Sequence, residues 1–169
     1  MGYTHYWYRA AELDPATFRR WSRDVWRLAQ ALPPTTETAG GFYRDRRLTL
    51  HGADGLGEPR FTASCVAFNG RCGGRSSVDE LGHEAFYLPR VFHPEPYQTP
   101  DPRGRYFAFC KTARKPYDLL VTAALVALKH HFPEVQVLSD GHAEDWSAGL
   151  RLTRDVLGNG VLPFNPHTR

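Results

Sequence analysis

YFAFCKTARKPYDLLVTAALVALKHHF, residues 106–132, is the stretch on which the fold turns. Tyr106 to Thr112 is aromatic and reads as a strand. With alternate residues on opposite faces, Lys111 falls in one row with Phe107 and Phe109, at its end. Pro116 then opens a helix that runs to Phe132. Leu119 to Leu128 is apolar except for Thr122: too short to span a bilayer, and apolar nearly all round, hence packed on several sides. A strand therefore feeds a buried helix through the polar joint Cys110-Lys-Thr-Ala-Arg-Lys-Pro-Tyr-Asp118, and the remaining segments have to pack around that helix.

Outward from the joint, Val135 to Ser139 reads as a strand ending in Asp140-Gly141. Glu144 to Leu157 reads as a helix with Trp146, Leu150, Thr153 and Leu157 on one stripe, terminated by Gly158-Asn-Gly160, with a tail over 158–169. On the N-terminal side, Tyr3 to Tyr8 reads as a strand with Tyr3, His5 and Trp7 on one face and Thr4, Tyr6 and Tyr8 on the other. Asp14-Pro15 caps a helix whose buried stripe is Phe18, Trp21, Val25, Leu28 and Leu32, stopped by Pro33-Pro34. Residues 35–46 read as a loop, and Leu48 to His51 as a short strand. Phe61 to Phe68 reads as a strand, and Glu84 to Phe92 as another with Pro89 at an edge or bulge. His93 to Arg105 carries four prolines and reads as a long irregular loop. The order β-α-β-β-β-β-α-β-α predicts an α+β domain, a single mostly antiparallel sheet of about six strands carrying three helices.

The 169 residues suit one domain over 1–169, with 41% hydrophobic and 23% charged residues in globular balance. The aromatic fraction is high, with eight Tyr, ten Phe and four Trp: rings for a core, or for a surface that stacks ligands. A formal charge of +3 permits a phosphate-bearing partner without demanding one. Three cysteines with no CxxC spacing argue against a disulfide framework or a structural zinc, and reduced thiols point to the cytoplasm. The start shows no basic and apolar leader pattern, and no membrane partner is expected.

Several constellations carry chemistry. At the joint, Lys111, Arg114 and Lys115 stand beside a helix N-terminus, whose free N–H groups and dipole favour an anion; solvated turn residues are the plainer alternative. Ser139-Asp140-Gly141-His142 presents Asp140 and His142 as metal ligands or general bases, or else as a turn that caps the next helix. His5, alone and polar among aromatics, is a site residue or a hydrogen-bonded core histidine. Asn69 is a turn residue or a substrate-binding amide. Gly70-Arg-Cys-Gly-Gly-Arg75 is a weak phosphate-loop signal. Arg20, Arg23 and Arg27 line one helix face, either solvated or binding nucleic acid. No HExxH, GxSxG, GxGxxG or Walker pattern is present.

Gly2-Tyr-Thr-His-Tyr-Trp7, taken with Phe109 to Asp118 and Ser139-Asp-Gly141, resembles a set of uncharacterised bacterial and phage proteins. The resemblance implies no activity and no catalytic residue; it is similar in style to accessory proteins of mobile elements. From the residues themselves, the expectation is a cytoplasmic protein that binds a nucleotide or another phosphorylated small molecule, as a binder or as an enzyme. Lys111, Arg114 and Lys115 would hold the anion, and Tyr6 and Tyr117 would stack a base. His5, Asp140 and His142 would supply a base or a divalent metal ligand. Nucleic-acid binding, or a protein-interaction or inhibitor module, are the alternatives.

Overall fold

The computed structural model describes residues 2–33, 48–75 and 80–165. The loop expected at 35–46, the end of the Gly-rich stretch at 76–77 and the tail residues 166–169 lie outside the described residues. The elements of these residues are β1 (Thr4–Ala10), α1 (Pro15–Gln30), β2 (Arg60–Phe61), β3 (Cys65–Phe68), β4 (Phe86–Pro89), β5 (Arg105–Lys111), α2 (Asp118–His131), β6 (Gln136–Ser139), a 3-10 turn (Ala143–Trp146) and α3 (Ser147–Leu157).

The α+β class is as expected, but the single sheet is not. Among the described residues the strands form two antiparallel sheets of three, one ordered β5-β1-β6 and the other β2-β3-β4. In the first, Thr4 pairs with Lys111, Tyr6 with Phe109 and Tyr8 with Phe107, while His5 pairs with Ser139 on the other side. The N-terminal strand is thus the centre of a sheet whose partners come from the C-terminal half. The middle strands close a separate meander. Its β4 carries Pro89 at the sheet's edge, opposite Cys65, where a missing N–H costs no ladder bond.

Two other expectations change. The run Phe61 to Phe68 breaks at Thr62, whose hydroxyl accepts from the N–H groups of Ser64 and Cys65 and donates to the Cys65 carbonyl. That side chain makes a hairpin turn of what reads as continuous strand. Of Leu48 to His51, only His51 enters a ladder, as an isolated bridge to Asn69.

Helix α1 starts as its sequence dictates. The Asp14 carboxylate accepts from the Thr17 N–H at 2.8 Å, and Phe18, Trp21, Val25 and Leu28 are buried. Every residue of α2 from Leu119 to Leu128 is buried, because α1 packs on one flank and α3 on another. The Trp21 indole donates to the Ala124 carbonyl across the α1–α2 contact at 3.1 Å. The core is ring-rich: Phe86 meets Trp7, Phe68 and Trp21 at centroid distances of 5.5, 5.0 and 6.5 Å. The segment after α3 also packs, Phe164 lying edge-on to Trp146 at 5.0 Å. No helix among the described residues is long and apolar enough to cross a membrane.

Candidate functional site

Strand alternation sorts the polar residues of the first sheet into two groups. Along β1, His5, Trp7 and Arg9 are buried while Tyr6 and Tyr8 are partly exposed. His5 therefore faces the helices. Tyr6 and Lys111 lie on the opposite face, since Lys111 pairs with Thr4, two residues before Tyr6.

On the inner face the joint builds a hydrogen-bonded series. The Ser139 hydroxyl accepts from the Gly141 N–H at 2.9 Å and from the Trp146 indole at 3.3 Å. Both lone pairs are then used, so its one proton goes to His5 Nδ1 at 2.9 Å. With Nδ1 accepting, His5 carries its proton on Nε2 and donates to Asp118 Oδ1 at 2.8 Å. The Thr112 hydroxyl donates to the same oxygen at 2.6 Å. Ser, His and Asp stand in the order of a hydrolytic triad, but two donors already hold the Ser139 oxygen and His5 is fully buried. What this series does in the present arrangement is fasten β1, β6 and the start of α2 together.

The expected anion cradle does not assemble. The first N–H groups of α2 are already spent: Asp118 donates to the Lys115 carbonyl, Leu119 to Pro116 and Leu120 to Tyr117. Arg114 pairs with Asp145 at 2.5 Å and lies over the Tyr3 ring, 4.0 Å from its centroid. The Lys115 ammonium is buried and donates to the Glu80 carbonyl. Tyr117 is fully buried with its hydroxyl on the Glu84 carbonyl, so it stacks nothing outside the core. The joint spends conformational energy on this: Ala113 and Arg114 both have positive φ, 51° and 57°.

The other predicted residues also have structural partners. The Asn69 amide donates to the carbonyls of Ala53 and His83 and accepts from the N–H groups of Gly70 and His83. His142 is exposed and begins the 3-10 turn, its N–H on the Asp145 carboxylate at 2.8 Å. In the Gly-rich stretch, the N–H groups of Gly73 and Gly74 hold the Glu80 carboxylate. Burial, with Glu80 beside it, pushes the Cys72 thiol up to about 11, the opposite of what a nucleophile needs. Arg20 bonds the Thr17 hydroxyl and Arg27 bonds Asp24 and the Val156 carbonyl, so two of the three α1 arginines serve local contacts. Among the described residues, no three of His, Cys, Asp and Glu gather as a metal site.

The outer face is different. Along β5 the row Arg105, Phe107, Phe109, Lys111 points outward, and Phe107 and Phe109 are 44% and 50% exposed. Tyr6 stacks on Phe107 at 5.9 Å and 26°, Tyr8 tilts against it at 5.4 Å, and Phe109 adjoins it at 5.8 Å. Arg105 lies over the Tyr8 ring at 5.7 Å and is paired with Asp101. Asp140 belongs to this side too: its carboxylate takes the Tyr6 hydroxyl at 3.1 Å and the Thr4 N–H at 3.0 Å, which fixes the Tyr6 ring. So His5 and Asp140, expected in one site, are on opposite sides of the sheet, whereas Tyr6 and Asp140 are bonded to each other and Lys111 lies on the same face. The period-two reading of Tyr106 to Thr112 already held Phe107, Phe109 and Lys111 in one row. Their exposure depends on which face the helices cover, and strand alternation alone does not say.

Comparison with protein-family models, with curated proteins and with solved structures finds no match to this chain.

Proposed function

We propose that the protein binds single-stranded nucleic acid across the outer face of the β5-β1-β6 sheet. The observation that supports this is the β5 row, two exposed phenylalanines with a cation at each end, joined by Tyr6 and Tyr8 into one aromatic platform. Such rings leave half their area in water at a cost in apolar burial that a purely structural face avoids. Bases stack on them whatever their sequence, and cations at the ends of the row meet the backbone. A duplex keeps its bases stacked on one another and has no use for the rings. A lone nucleotide gains one stack at most on an open face, so it is a weak ligand beside an oligonucleotide.

Among the described residues, the Lys111 ammonium has no hydrogen-bond or ion-pair partner, and its stem rests against Gly2. It is the end of the row best able to take a phosphate, since Arg105 already pairs with Asp101. The test is fluorescence anisotropy with a labelled oligothymidylate of about ten nucleotides, beside a duplex of the same length. Phe107→Ser with Phe109→Ser removes two stacking rings at about 1–3 kcal/mol each, so affinity falls by roughly 30-fold or more while the far-ultraviolet dichroism stays that of the wild type. Equal affinity of wild type and double variant overturns the reading.

A further inference from the structure

Arg9 is an unusual residue for a strand interior. It is 2% exposed, yet among the described residues no carboxylate pairs with it. Its Nε donates to the Ala10 carbonyl at 2.9 Å, its Nη1 to Pro89, and its Nη2 to Ala11 at 3.1 Å and to Arg90 at 2.8 Å. A guanidinium has five N–H groups, so one on Nη1 remains. The carbonyls satisfy hydrogen bonds but do not neutralise the charge. Burial without a counter-ion lowers the guanidinium's proton affinity, to about 10, and no acid offsets the loss. A buried cation normally comes with an anion.

Arg9 is also not sealed off. It lines a groove of about 250 Å³ between β5 and β4, together with Trp7, Leu88, Phe92, Gln98 and Ala108. Tyr87, Phe107 and Phe109 line it as well and are 51%, 44% and 50% exposed, so the rim is aromatic and the floor, formed by Trp7 and Arg9, is deep. Trp7 buries an indole N–H with no hydrogen-bond partner. The volume is below the roughly 300–1,000 Å³ of sites that enclose drug-sized ligands, which suits one group of a longer ligand. Phe107 and Phe109 belong both to this rim and to the outer face, and β5 is the edge strand of its sheet, so a chain that leaves the outer face over the β5 edge reaches the groove.

We propose that this groove seats one backbone phosphate of the bound single strand, charge-paired with Arg9, while flanking bases stack on Tyr87 at one side and on Phe107 and Phe109 at the other. The proposal rests on the reading of the outer face as a single-strand platform and adds to it a fixed register point. On a face of rings alone, every linkage of the strand is equivalent. With a deep cation, one linkage is not.

The test keeps the two ideas apart. An oligothymidylate of about ten nucleotides is made as a series in which one linkage at a time is the uncharged methylphosphonate, and each member is titrated into the wild-type chain. The expected result is one linkage, or two neighbours, whose neutralisation weakens binding by roughly tenfold, the scale of a charge-assisted contact, while the others change little. A uniform small loss at every linkage overturns the groove and leaves the platform standing. No binding of the unmodified oligonucleotide overturns both. Arg9→Met, if its melting curve shows a folded chain, is expected to lower the slope of log affinity against log salt by about 0.7, one single-strand phosphate. Tyr87→Ala is expected to weaken binding with the slope unchanged. Lys111→Ala, which lies outside the groove, is expected to keep the preference for the special linkage. An unchanged slope in folded Arg9→Met also sinks the proposal.

Discussion

Asp118 holds the inner network at its acidic end, where one oxygen serves His5 and Thr112. Replacing Asp118 by Ala leaves a buried imidazole N–H and a hydroxyl without acceptors, and unsatisfied groups of that kind cost about 1–3 kcal/mol each. Urea denaturation of Asp118→Ala is expected to show a loss of about 2–5 kcal/mol, with oligonucleotide binding at saturating folded protein unchanged. At the same scale, Ala113 has a left-handed backbone, φ 51°, that costs an L-residue roughly 1–2 kcal/mol. Ala113→Gly is therefore expected to be neutral or to stabilise by up to about 1 kcal/mol, against the usual penalty for glycine. Asp145 gives a pH dependence. Burial works to raise its carboxyl, but the Arg114 guanidinium and the His142 N–H outweigh it and hold the group below its ordinary 3.8. A carboxyl lowered on folding stabilises the fold above its unfolded pKa and loses that contribution as pH falls through the folded one. Wild type is thus expected to be more stable than Asp145→Asn at neutral pH, with the gap closing below about pH 4. A gap that widens on acidification would contradict this.

At the scale of elements, α2 is the piece against which α1, α3 and β6 pack, and its contact with α3 depends on Gly149. A methyl there would stand 2.3 Å from the Thr122 hydroxyl and 2.9 Å from its Cβ. Gly149→Ala is expected to cost about 1–3 kcal/mol as overpacking, although alanine favours helices elsewhere; differential scanning calorimetry reads it directly. The helices are also the elements most legible in the sequence. Asp14-Pro15 with Phe18, Trp21, Val25 and Leu28 placed α1, and the apolar run after Pro116 placed α2 as a buried helix, because capping and 3.6-residue periodicity are local properties. Strand partners are not local. Nothing within Thr4 to Ala10 says that it pairs with residues 105–111 and 136–139 rather than with the strand that follows α1. Hence the single sheet of the sequence reading became two. The hairpin at Thr62 was lost for a related reason: threonine favours strands by its branching and turns by its hydroxyl, and the hydroxyl prevailed.

For the whole molecule, the distribution of polar groups between the two faces of one sheet decides what the protein offers a partner. Concentration of polar residues at strand ends was visible in the sequence, and so was the row of Phe107, Phe109 and Lys111. Their partition was not. His5, Lys115 and Tyr117 turn inward because α2 and the 80–84 segment supply acceptors there, and Arg114 is held by Asp145 of the 3-10 turn. Tyr6 and Lys111 stayed outward with the rings. In the sequence Asp140 stands out as chemistry, and Ser139 and Asp118 do not. Strand parity decides between neighbours such as Ser139 and Asp140, and parity needs the register. The signal for Arg9 in the sequence is a lone arginine directly after the aromatic run Tyr6-Trp7-Tyr8, on the same alternation as His5 and Trp7.

The most direct measurement is the anisotropy titration of a labelled single-stranded oligothymidylate against wild type and against Phe107→Ser with Phe109→Ser, repeated with a duplex. Saturable binding of the single strand, weaker binding of the duplex and a loss of roughly 30-fold or more in a folded double variant are the predicted results. Binding that favours the duplex, or that survives removal of both rings, would contradict the account.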